Sequence, residues 1–119
     1  MSALILVVQH DLLLREVISE ILDAAGHCTF VADDASKALD YLENHPFDLL
    51  VTCPHPHPIN GVALAIEAKT LQPKLPIILV GPGLKKDAAL PFIAAIIQSP
   101  FSEDELRKVI KRVLQEASC

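Results

Sequence analysis

The sequence predicts one α/β domain built on a doubly wound, five-stranded parallel sheet with helices on both faces. Three observations lead there. Apolar runs of strand length alternate with stretches in which apolar residues recur at helical spacing. The strand-like runs are continuously apolar rather than alternating, the pattern of parallel strands covered on both sides. Capping residues and Gly or Pro breakers punctuate the changes from one period to the other.

Leu4-Ile5-Leu6-Val7-Val8 is the first such run and should lie centrally. Asp11 can cap the helix that follows, in which Leu14, Val17, Ile18, Ile21, Leu22 and Ala25 recur at helical spacing until Gly26 stops it. Cys28 to Val31 reads as a short second strand. Asp34 caps a second helix carrying Ala38, Leu39 and Leu42, which ends before Pro46. Leu49 to Thr52 forms the third strand, running into the Pro/His loop Cys53-Pro54-His55-Pro56-His57-Pro58-Ile59-Asn60. Gly61 to about Leu71 reads as a third helix with Leu64, Ala68 and Leu71 inward, and Pro76 to Val80 as the fourth strand. After Gly81 the Gly-Pro-Gly breaker leaves at most about two helical turns over Lys85 to Leu90, which Pro91 ends. Ile93 to Gln98 is the last strand. Ser102-x-x-Glu105 makes a capping box for a final helix whose apolar stripe is Leu106, Val109, Ile110, Val113 and Leu114.

A chain of 119 residues fits one domain over 1–119 and can bury a core without disulfide or metal staples. With 51% apolar residues and a formal net charge of −5, composition favours a compact fold and gives nucleic-acid binding no electrostatic support. The longest apolar runs fall far short of the roughly 20 residues that span a bilayer. Met1-Ser2 leads straight into the first strand without a basic and apolar leader, so no membrane contact and a cytoplasmic location are expected. The three cysteines, Cys28, Cys53 and Cys119, form no C-x-x-C pair and are expected to be reduced, with Cys28 as a small buried group. His27 and His45 fall at helix ends, where a partial positive charge suits the helix dipole.

Linked features along nearly the whole chain resemble a response-regulator receiver domain. They are Ile5-Leu6-Val7-Val8 before a polar turn, Leu14-Arg15-Glu16 in the first helix, Asp34 with Ala38-Leu39 in the second, Asp48-Leu49-Leu50, Asn60-Gly61, Pro76-Ile77-Ile78, and Pro100-Phe101 before the last helix. The resemblance implies the flavodoxin-like or CheY-like strand order 2-1-3-4-5, with the family's fourth helix shortened here. It also implies a two-component, phosphorelay function in bacterial signalling, with a protein partner such as a histidine kinase or effector domain and a possible homodimer.

The chemistry that the resemblance implies is missing from the matching positions. Receivers hold Mg²⁺ with two acidic residues after the first strand and one after the third, which takes the phosphoryl group. Gln9, His10 and Cys53 stand there. The phosphate-binding lysine corresponds to Ser99, the switch hydroxyl to Gly81 and the switch aromatic to Ile96. Mg²⁺ wants hard oxygen ligands, and phosphoryl transfer depends on positioning and charge stabilisation. The expected molecule is therefore a pseudo-receiver: no enzyme, no cofactor, and a phosphorylation-independent interaction module. Asp11, one residue past the acidic pair, is expected only to cap its helix.

A competing reading keeps the same crevice but changes its input. Cys and His are ligands for zinc and copper, and an imidazolium neighbour activates a thiol, so His10, Cys53, His55 and His57 could form a metal or redox sensor. The spacing gives it weak support, because Pro56 separates the loop histidines and no third group orients a Cys-His pair.

Overall fold

The computed structural model describes residues 2–52, 61–81 and 93–117. Among them are five strands and four helices in the order β1 (Leu4–Val8), α1 (Leu12–Ala24), β2 (Cys28–Ala32), α2 (Ala35–Asn44), β3 (Leu49–Thr52), α3 (Gly61–Leu71), β4 (Ile77–Gly81), β5 (Ala95–Gln98) and α4 (Glu103–Ala117). The strands form one parallel sheet in the order β2-β1-β3-β4-β5, as expected. The short helix expected over Lys85 to Leu90 lies outside the described residues, as does the shortening ascribed to it.

Burial explains why three strands read as unbroken apolar runs. Every residue of β3 and β4, and all of β1 after Leu4, is buried, whereas the edge strands β2 and β5 are only partly so. The two-residue period of a strand then divides the core. Ile5, Val7, Leu49, Val51, Ile78 and Val80 face α1 and α4, packing with Ile18, Leu22, Leu106 and Ile110. Leu6, Val8, Leu50 and Ile77 face α2 and α3, packing with Ala38, Leu42, Leu64 and Ala68.

The helix ends follow their capping residues. Asp11 accepts hydrogen bonds from the N–H groups of Leu13 and Leu14, and Asp34 from that of Lys37. Ser102 Oγ accepts from the Glu105 N–H at 3.0 Å, the first half of the expected capping box. Gly26 ends α1 in a Schellman turn. Its φ is +93°, its N–H bonds Asp23 O, and the His27 N–H reaches back to Leu22 O at 3.1 Å.

Several residues differ from expectation. Val17, placed in the α1 stripe, is 47% exposed, and Ala25 is exposed as the C-cap; Ile18, Ile21 and Leu22 make the buried face. Leu71, expected inward, is 40% exposed because α3 ends there and the next side chain, Gln72, turns in instead. The Gln72 amide donates to Leu42 O and His45 O and accepts from the Phe47 N–H, joining the ends of α2 and α3 to the start of β3. Cys28 is exposed rather than buried, since it begins an edge strand. His45, at the C-terminal end of α2 as expected, also packs edge-on against Phe30, with ring centroids 5.1 Å apart.

Candidate functional site

In a doubly wound sheet the ligand crevice opens at the carboxyl ends of the strands, where the strand order reverses. Here that point lies between β1 and β3, whose last residues Val8 and Thr52 are paired. Gln9 follows Val8, and Cys53 follows Thr52 in the sequence. Cys53, His55 and His57 lie outside the described residues.

Gln9 is only 4% exposed. Its N–H donates to Ala32 O at 3.0 Å, which extends the β1–β2 pairing by one residue. Its side-chain Oε1 accepts from the Asp11 N–H at 3.1 Å, folding the amide back over the β1–α1 turn. Its backbone carbonyl accepts from Arg15 Nη1 at 2.9 Å. A buried amide is tolerated because its polar atoms find partners of this kind.

Of the described neighbours of Gln9, His10 is exposed. Asp11 spends its carboxylate on the cap of α1, as expected. Thr52, the last residue of β3, is fully buried and neutral.

At the other end of the crevice, Gly81 is the last residue of β4 rather than the residue after it, and pairs with Gln98. Ile96 is half-buried in β5, two register positions away, paired with Leu79. The Ser99 N–H donates to Gly81 O at 3.0 Å, and its hydroxyl is sealed from solvent with no hydrogen-bond partner among the described residues. No group of three His, Cys, Asp or Glu side chains comes together to hold a metal among the described residues.

Arg15 was not singled out as a site residue by its sequence position, although it belongs to the Leu14-Arg15-Glu16 segment. Its place four residues after the Asp11 cap, one helical turn on, is the signal that puts its long side chain against the β1–α1 turn. Chemically, the described turn after β1 presents the buried Gln9 amide, the Arg15 guanidinium and an Asp11 carboxylate that already accepts two helix N–H groups.

No protein-family model matches the chain. Individual proteins do. The response regulator receiver protein CpdR of Brucella abortus is 27% identical over 114 residues, covering 92% of this chain and 95% of CpdR. The transcriptional regulatory protein FixJ of Bradyrhizobium diazoefficiens is 28% identical over 117 residues, covering 95% of this chain and 57% of FixJ. Among solved structures, NtrX from Brucella abortus superposes with a TM-score of 0.91 at 28% identity, over 99% of this chain and 28% of NtrX. A CheY-like receiver domain protein from Methanospirillum hungatei superposes with a TM-score of 0.87 at 25% identity, over 99% and 98% of the two chains.

The fold is that of CheY-like receiver domains, and the chain is similar over most of its length to receiver proteins of two-component response regulators. It spans little more than half of FixJ and about a quarter of NtrX, so it corresponds to one part of those larger proteins. No described helix is long and apolar enough to cross a membrane.

Proposed function

We propose that this receiver domain signals without phosphorylation, as a module that binds a protein partner, and that it is not an enzyme. The observation that carries this reading is the closed turn at Gln9. The position that holds a metal carboxylate in receivers is occupied by a buried amide whose oxygen is already bonded to the Asp11 N–H. The sequence supports the same conclusion at the other sites, with His10, Cys53 and Ser99 in place of two carboxylates and a lysine. Phosphoryl transfer needs those charges together, because its catalysis is almost entirely positioning and charge stabilisation.

A partner needs a surface, and α1 supplies one. Leu12, Leu13 and Val17 are large apolar residues left exposed on it. Beside them Val17, Glu20, Ile21, Phe101 and Glu103 line a groove of about 370 Å³ between α1 and the start of α4. Apolar side chains clustered with an acidic rim are the composition of a docking face rather than of plain solvated helix. A kinase or an effector domain is the class of partner that a receiver domain implies.

The test is covalent. Incubated with acetyl phosphate and Mg²⁺, the protein should show no added phosphoryl mass by intact-mass spectrometry. A stoichiometric adduct, on Cys53 or elsewhere, overturns the proposal.

A further inference from the structure

At the opposite end of the sheet from the crevice, β1 begins with two backbone N–H groups that no neighbouring strand receives. Ala3 N–H donates instead to His27 Nδ1 at 3.0 Å, and Leu4 N–H to Asp48 Oδ2 at 2.8 Å. Successive N–H groups of a strand point to opposite edges, so the first bond reaches toward β2 and the second toward β3. Each is returned by backbone: Cys28 N–H bonds Ala3 O at 2.9 Å, and Asp48 N–H bonds Leu4 O at 2.8 Å. The Schellman turn at Gly26 sets His27 at this place, one residue before β2.

We propose that His27 and Asp48 form a pH-sensitive clasp on the start of β1, whose β2 side opens on acidification while its β3 side holds. The two acceptors respond differently to a proton. Neutral imidazole offers Nδ1 as an acceptor only while unprotonated, and the imidazolium places a donor against the Ala3 N–H. A carboxyl group that takes up a proton keeps an acceptor oxygen, so the Leu4 bond weakens without reversing.

Burial favours the neutral form of His27 and lowers its pKa from the ordinary 6.5, with the α-amino charge adding to the effect. Among the described residues, charged groups at this end include Asp23 of α1, which accepts from Thr29 Oγ1 at 3.0 Å, and Lys74, which shares a groove of about 570 Å³ with Ala3 and Asp48. The sign follows from linkage. A depressed histidine pKa contributes its full stabilisation above 6.5, and loses it as the pH falls from there through the folded-state value.

Amide hydrogen exchange followed by NMR from about pH 8 to about pH 5, the range in which histidine titrates, tests the clasp. Below the His27 midpoint, the Ala3 protection factor should fall about tenfold per pH unit while that of Leu4 is retained, because protection follows the neutral fraction. In His27→Gln the pH dependence at Ala3 should vanish. In Asp48→Asn, Leu4 should stay protected. Constant Ala3 protection across the His27 titration, read from its ring nitrogen shifts in the unmodified protein, overturns the proposal whatever the variants do. A loss at Ala3 that persists in His27→Gln overturns it as well.

Discussion

Gln72 shows how much one side chain can hold together. Its amide takes the Leu42 and His45 carbonyls at 2.9 and 2.8 Å and the Phe47 N–H at 3.1 Å. Gln72→Ala removes all three partners at once and leaves partly buried backbone groups unsatisfied, so it should cost about 1–3 kcal/mol, read as a lower urea midpoint with unchanged slope. An unchanged midpoint would mean that water replaces the amide without loss. Gln9 is the same kind of residue at the crevice. Its identity in the sequence already signalled a missing carboxylate, but nothing in the sequence said that its oxygen would turn onto the Asp11 N–H. Cys28 misled for a related reason, because a cysteine's preference for burial says nothing about which strand lies at an edge.

Helix α1 presents two contrasting faces, one buried and one exposed. Leu22 is fully buried against the sheet, whereas Leu13 is 75% exposed. Leu22→Ala should therefore lose about 2–5 kcal/mol of stability, the range for a cavity left in a packed core. Leu13→Ser should stay within about 0.5 kcal/mol of the parent while weakening capture of the partner. Equal destabilisation by both substitutions, in chemical unfolding, would place Leu13 in the core and remove the docking face. The sequence located this helix and its caps correctly, since Asp11 and Gly26 act locally. It misassigned Val17, because a stripe of helical spacing is wider than the arc that the sheet and α4 can cover. Leu71 failed at a helix end, where the chain departs from the helical path that the periodicity assumes.

For the whole domain, the proposed loss of the metal carboxylates implies indifference to metal. Anything that binds only the folded state raises stability, by about 2.7 kcal/mol at a hundred times its dissociation constant. The thermal midpoint should thus be the same in Mg²⁺ as in EDTA, and a rise with Mg²⁺ would restore the metal site. The sequence by itself determined the order of the described elements and the parallel sheet, because periods of two and 3.6 residues are local properties. Only the tertiary structure decided which side chains finish the job. His27 meets Ala3 across 24 residues, and Gln72 meets Phe47 and Leu42 across 25 and 30. Such partners are chosen by strand order and by where each helix stops, and a hydrogen bond of about 3 Å exists only after both are fixed.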